Sequence, residues 1–218
     1  MKPITVSLQR STVALLLAAT FGGLLSGCAP IMVGAAVGTG IVASDRRSSG
    51  AQVEDEAIEL KAANRIHDHF GTRVRVNVTS YNRRVLLSGE VPNEADRQRV
   101  QQVVAGVDNV RSVVNELALL DSPSLSERTS DVVLSGRVKA GLIDHKDLSA
   151  LAFKVVTERG TVYLMGRVTK READLATEVA RTTSGAKAVV RVFDYISEDE
   201  LKRLQPEPAR DTPAKPLN

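Results

Sequence analysis

The stretch Val85-Leu86-Leu87-Ser88-Gly89-Glu90-Val91 decides the fold, because the chain contains a close variant of it further on. An offset of 77 residues leads to Val162-Tyr163-Leu164-Met165-Gly166-Arg167-Val168, in which apolar residues alternate around a glycine at the same places. A strand-like stretch and a polar turn precede each copy, which is the pattern of a β-hairpin. Self-similarity at a fixed offset indicates a duplicated structural unit.

The flanking sequence extends each hairpin to a larger unit. A helical stretch follows each hairpin, at 93–105 and 170–182, and a β-rich run follows each helix, at 110–119 and 188–196. Upstream of each hairpin, apolar residues recur every four positions, which is typical of the buried face of an amphipathic helix. They are Ile58, Ala62, Ile66 and Phe70 in the first copy, and Leu134, Val138 and Leu142 in the second.

The predicted fold class is therefore α+β. It consists of two tandem αββαβ units, each a small three-stranded mixed sheet covered by two helices. Units of this size bury modest cores, so each is expected to be only marginally stable alone.

The N-terminus has the pattern of a targeting signal. Lys2 and Arg10 precede a short apolar run from Val13 to Leu25, as in a secretory signal peptide. The run ends in Leu25-Ser26-Gly27-Cys28, which resembles the bacterial lipobox. That resemblance implies cleavage before Cys28 and acylation of it, and Ala29 in the next position favours the outer membrane. An ordinary signal peptide that ends near a cysteine is the alternative.

These signals divide the 218 residues into five parts. Residues 1–27 are predicted to be a lipoprotein signal peptide, and residues 28–53 to be the acylated cysteine and a Gly-, Ala- and Ser-rich linker. The two repeated units are predicted at 54–121 and 127–196. A short helix and a proline-rich disordered tail are predicted at 197–218.

Composition and motifs exclude several classes of function. The single cysteine excludes an intramolecular disulfide, a cysteine-based zinc site and an iron–sulfur cluster. The sequence contains no catalytic or nucleotide-binding motif, so we expect no enzymatic activity, no cofactor and no metal site. Aromatic residues make up 3% of the chain, and the exported part is nearly neutral, which argues against nucleic-acid binding.

Gly89 and Gly166 are interpreted as structural glycines. Each lies inside a predicted strand, where glycine is destabilising unless a neighbouring element needs the space. A phosphate-binding loop would need several glycines that open a helix. We therefore expect both glycines to serve close packing of a helix or a bulge, and not a ligand site.

The signature V-x-L-x-G-x-V in an αββαβ unit resembles the BON domain, a small module of bacterial envelope proteins. The two copies cover roughly residues 54–196, and their duplication behind a lipobox is similar to the dual-BON outer-membrane lipoproteins. The resemblance implies an association with phospholipid. It also implies attachment to the outer membrane through an acyl anchor, on the periplasmic face.

The charges distinguish the two units. Residues 54–121 carry nine Lys and Arg against eleven Asp and Glu, a net charge of −2, whereas residues 127–196 carry twelve against nine, a net charge of +3. A net charge of +3 on the second unit is also compatible with charged residues that are scattered over its surface and serve only solubility. Since each Lys or Arg near anionic headgroups contributes about 1 kcal/mol, we expect the second unit to bind anionic phospholipid through its first helix and the following loop. The candidate residues are Arg137, Lys139, Lys146, Val133 and Ile143.

Two functions remain open at this point. The first is a non-enzymatic outer-membrane lipoprotein that maintains envelope integrity and binds anionic phospholipid with its second unit. The alternative is a periplasmic scaffold or regulator whose exposed sheet edges or acidic first unit bind an envelope protein or the outer-membrane assembly machinery. The sequence does not separate these two.

Overall fold

A computed structural model describes residues 45–119 and 124–204. The predicted signal peptide, Cys28, most of the linker and the proline-rich tail lie outside these residues. The described residues belong to one compact unit.

The first repeat has the predicted order of elements. It consists of helix α1 (Ser49–Phe70), strands β1 (Arg75–Tyr81) and β2 (Arg84–Glu90), helix α2 (Glu94–Ala105) and strand β3 (Ser112–Asn115). Strand β2 lies in the middle of the sheet, antiparallel to β1 and parallel to β3.

The second repeat follows the same order with a longer last strand. It consists of helix α3 (Leu125–Asp144), a 3₁₀ turn (Ala150–Ala152), strands β4 (Phe153–Glu158) and β5 (Thr161–Val168), helix α4 (Lys170–Thr182) and strand β6 (Ala188–Tyr195). Strand β5 is antiparallel to β4 and parallel to β6. A short helix, α5 (Glu198–Leu204), follows.

The α+β class and the two mixed three-stranded sheets are confirmed. The apolar residues at four-residue spacing are buried in α1 and α3, where they pack on the helix-facing side of each sheet. Helix α1 begins at Ser49, within the stretch 28–53 that composition assigned to the linker. Ser48 caps α1 by accepting a hydrogen bond from the amide of Ala51, so the helix includes part of the stretch that composition assigned to the linker.

Both hairpins have two-residue turns that require left-handed backbone. Asn82 and Arg83 in the first turn, and Arg159 and Gly160 in the second, have positive φ angles. Three of these residues are not glycine and adopt this conformation at a cost of about 1 kcal/mol or more.

A buried aspartate of the preceding helix holds each turn. The carboxylate of Asp55 accepts hydrogen bonds from the amides of Asn82 at 2.8 Å and Arg83 at 2.7 Å. Asp131 accepts in the same way from the amides of Arg159 at 2.7 Å and Gly160 at 2.8 Å. The two aspartates therefore fasten helix to hairpin in both repeats.

The two sheets pack against each other through the faces turned away from their helices. Tyr81 and Leu86 of the first repeat form one apolar cluster with Tyr163, Met165 and Val192 of the second, and all five are buried. Truncating such a buried side chain typically costs 2–5 kcal/mol. The sequence left open how the two repeats pack. In the structure they share an apolar core.

Ion pairs surround this shared core. Glu90, which is buried, pairs with Arg75 of its own repeat at 2.5 Å and with Arg159 of the other repeat at 2.9 Å. Lys154 of the second repeat pairs with Glu59 of the first at 2.8 Å. Since removing one partner of a buried ion pair leaves an uncompensated charge, the contact of Glu90 with Arg159 resists separation of the repeats.

The two signature glycines lie where a neighbouring carbonyl comes very close. A Cβ atom on Gly89 would overlap the carbonyl oxygen of Arg75, and a Cβ atom on Gly166 would overlap that of Ala152. The close approach therefore comes from the backbone of β1 in the first repeat and from the 3₁₀ turn just before β4 in the second. Gly89 also has a φ of 115°, which side-chain-bearing residues rarely adopt.

Candidate functional site

Helix α3 buries one side and leaves the other without a partner. A capping box starts the helix, in which Ser124 and Glu127 bond each other's backbone amides. Leu134, Val138 and Leu142 then face the sheet and α4. With 3.6 residues per turn, positions on the opposite side of the helix from these three residues face outward.

The outward side carries an apolar ridge, which we define as Val132, Val133 and Ile143. Their exposed fractions are 72%, 45% and 69%. Gly136 and Ala140 lie between them on the same side of the helix and are also exposed. Large exposed aliphatic residues on one face of a helix are typical of surfaces that contact a membrane or another protein.

The predicted cations flank this ridge on both sides. Arg137 and Lys139 are two positions apart and therefore point to opposite sides of the ridge. Lys146 follows the helix and lies near the Ile143 end. All three are exposed, and within residues 45–119 and 124–204 none of them has an ion-pair partner.

The structure does not unite these cations in a single patch. Arg137 faces a groove of about 470 Å³ between the first half of α3, the β4–β5 turn and the loop before β6. Its guanidinium donates a hydrogen bond to the carbonyl of Ser184 at 3.2 Å. Lys139 and Lys146 lie on the other side and at the far end. Ridge and cations thus form a broad surface with apolar residues in the centre.

Two residues of this surface were missed by sequence reasoning. Lys187 lines the same groove as Arg137, from the loop before β6. Leu151 is exposed in the 3₁₀ turn that follows Lys146. No local pattern indicates either residue, because tertiary packing brings their loops beside α3.

Acidic groups near the surface limit its charge. Asp144 and Asp147 are exposed at the end of α3 and just after it. Glu127 lies at the edge of the groove, where hydrogen bonds from the backbone and side chain of Ser124 lower the pKa of its carboxyl group. The surface is therefore only moderately cationic.

Two kinds of feature are absent from the residues that the structure describes. In 45–119 and 124–204, no helix has the length and apolar character to cross a bilayer. The same residues contain no group of three or more His, Cys, Asp or Glu arranged to hold a metal ion.

The duplicated αββαβ architecture defines a tandem-repeat α+β protein. The family model of the BON domain matches residues 54–121 and 130–196. The chain belongs to the BON domain family.

Curated relatives cover most of the chain. It is 36% identical over 185 residues to the outer membrane lipoprotein DolP of Haemophilus influenzae, covering 84% of this chain and 95% of that protein. It is 31% identical to a 21 kDa hemolysin of Actinobacillus pleuropneumoniae, covering 70% and 79%. It is 28% identical to osmotically-inducible protein Y of Escherichia coli, covering 68% and 76%. None of these names denotes an enzyme.

Proposed function

We propose that the chain is an outer-membrane lipoprotein that maintains envelope integrity without chemistry of its own. Acyl chains on Cys28 attach it to the periplasmic face, and helix α3 of the second repeat contacts anionic phospholipid. The observation that carries this proposal is the exposed ridge of Val132, Val133 and Ile143 between cations that have no ion-pair partner among the described residues. The similarity to an outer membrane lipoprotein over 84% of the chain supports the location.

The energetics favour a contact that depends on the anchor. Full burial of a Val or Ile side chain contributes about 1.5–3 kcal/mol, so the exposed parts of Val132 and Ile143 offer roughly 1–2 kcal/mol each. Three cations add about 1 kcal/mol each before screening. Against these gains stand the costs of immobilising the protein, so α3 alone binds weakly. An acyl anchor places the helix beside the bilayer, where a weak contact is sufficient.

Vesicle co-sedimentation of the unacylated chain tests the lipid contact. Residues 28–218 with Cys28→Ser are mixed with phosphatidylcholine vesicles, with and without phosphatidylglycerol. We expect binding only to the anionic vesicles, and loss of binding in a variant with Val132→Ser and Ile143→Ser. The matched control is Val53→Ser with Leu60→Ser, which removes two similarly exposed residues from α1. Equal binding by parent and ridge variant would contradict the proposal.

A scaffold function is the second candidate. Val53 and Leu60 are exposed on α1 of the acidic first repeat, which is a surface suited to a protein partner. If the parent chain fails to bind anionic vesicles at low salt, the scaffold function replaces the lipid contact.

A further inference from the structure

The segment Asp45–Arg47 lies between the two repeats, just before α1. It is the described part of the chain nearest to Cys28, from which residues 29–44 separate it. Its two arginines bind different repeats, and we call the segment the clip.

Arg46 binds the second repeat. Its guanidinium forms a two-point ion pair with Glu172, with distances of 2.6 and 2.8 Å. It also donates to the carbonyl of Arg167 at 2.9 Å, and Arg167 donates back to the carbonyl of Arg46 at 3.1 Å. The side chains of Arg46 and Glu172 are only 7% and 4% exposed. Arg–carboxylate pairs of this planar geometry are strong and specific.

Arg47 binds the first repeat. It pairs with Asp55 at 2.8 Å, the same carboxylate that holds the first hairpin turn. Its guanidinium lies 4.3 Å from the centre of the Tyr81 ring, which belongs to the core shared by the sheets. Asp45 completes the contact by pairing with Arg47 at 2.6 Å. The clip therefore joins both repeats.

The clip holds the chain close to one end of the candidate surface. Arg167 follows Gly166, which pairs with Phe153 across the hairpin. Phe153 in turn follows the 3₁₀ turn that carries the exposed Leu151, at the Lys146 end of α3.

We propose that Arg46 and Arg47 are positioning residues for membrane attachment, an inference that rests on the proposed acyl anchor at Cys28. They fix the point where the tether leaves the folded body, between the repeats and at the end of β5, and so limit how far the body can move from the bilayer. With the clip closed, the chain between Cys28 and Asp45 can span at most about 60 Å. With the clip open, the free chain extends to Ser49, the first residue of α1, and can span at most about 75 Å.

Tryptic release from vesicles tests whether the clip is closed. Between Cys28 and Arg46 the sequence contains no Lys or Arg, and after Arg47 the next is Lys61 in α1. Residues 28–218 are coupled through Cys28 to a maleimide lipid in phosphatidylcholine vesicles. Trypsin then releases the folded body by cutting after Arg46 or Arg47, which requires the clip to open. Vesicles without anionic lipid keep this measurement independent of the ridge.

Glu172→Gln opens the clip with little other change. Glutamine can still cap α4, as Glu172 does by accepting from the amide of Thr169, but it lacks the charge that binds Arg46. The matched control is Glu127→Gln, at the corresponding capping position of α3.

We expect release from Glu172→Gln to be faster by on the order of tenfold or more, because cleavage follows the population of the open form. The parent and Glu127→Gln should release slowly, and N-terminal sequencing should find Arg47 or Ser48 first. If the parent releases as fast as Glu172→Gln, the clip is open in solution and the proposal is wrong. If Glu172→Gln also speeds cleavage inside the repeats, Arg46→Lys replaces it, because it keeps the tryptic site and leaves α4 unchanged but cannot form the two-point pair with Glu172. No acceleration in that variant would likewise overturn the proposal.

Discussion

Reversing two charges on helix α3 tests the electrostatic half of the proposed membrane contact. The change is Arg137→Glu with Lys139→Glu. Both side chains are exposed, and among the described residues the one hydrogen bond lost is that from Arg137 to the carbonyl of Ser184. Exposed substitutions of this kind usually change stability by less than about 0.5 kcal/mol, so the fold should be unaffected.

The expected loss of binding follows from the number of charges. Each cation contributes about 1 kcal/mol near anionic headgroups, and replacing two cations by two anions changes the charge by four units, so the upper limit is about 4 kcal/mol. Screening over a Debye length of about 8 Å at physiological ionic strength reduces this to roughly 2–3 kcal/mol. Binding to phosphatidylglycerol vesicles should therefore weaken by about 30- to 150-fold.

The assay is vesicle co-sedimentation of the unacylated chain at two salt concentrations. Lys170→Glu with Arg171→Glu is the matched control, because it makes the same change in net charge at two exposed positions of α4. We expect the control to lose far less affinity than the α3 variant. Equal losses would show that only net charge matters, and an α3 variant that binds like the parent would refute the assignment of this helix.

Three further predictions concern the anchor and the fold. Cys28→Ser should release the folded protein from the membrane fraction or block its processing; a mature form that fractionates with the outer membrane would contradict the anchor. Gly89→Val and Gly166→Val should each lower the melting temperature, by the equivalent of about 2–4 kcal/mol, because a Cβ atom meets a backbone carbonyl. Unchanged melting with lost lipid binding would instead make these glycines functional. Burial opposes ionisation of Asp55, yet hydrogen bonds from Arg83, Ser80 and Arg47 lower its pKa, so its stabilisation is present at neutral pH and lost as the pH falls below about 4. Asp55→Asn should therefore flatten the acid side of a stability-against-pH curve, and a curve that keeps its slope would exclude this carboxylate as the cause.

The fold was predictable because its signals are local and duplicated. The hairpins, the helices after them and the four-residue spacing of Ile58 or Leu134 are readable in short windows of sequence. Strand β3 was the exception, since the regular strand covers only Ser112–Asn115 of a longer β-rich run, although Glu116 and Ala118 still bond to the backbone of β2.

The packing of the repeats was not predictable. Leu86, Tyr163 and Met165 alternate with residues of the helix-covered face, so each central strand is apolar on both faces. Such a strand indicates that both faces are covered, but not by what. For the same reason an isolated second repeat is an unsuitable probe of lipid binding, because separation would expose this apolar face to vesicles.

The candidate surface was predictable in part. The exposure of Val133 and Ile143 followed from the helical period once the core positions of α3 were assigned. The groove shared by Arg137 and Lys187 depends on how a later loop packs, and the clip at Asp45–Arg47 lies in a stretch where composition alone indicated a linker.

The buried aspartates at the hairpin turns also affect the register in which the strands pair. A slip of one residue in most sheets moves apolar side chains into water, and that penalty selects the correct pairing. In β2 a slip would exchange Leu86 with Leu87, and both positions are fully buried, so this pair of residues discriminates weakly between the two alignments. Asp55 accepts from the amides of Asn82 and Arg83 only when these two residues form the turn. One carboxylate per repeat thus helps to fix the strand register. Its loss should increase misfolding and aggregation by more than the accompanying decrease in the free energy of unfolding would predict.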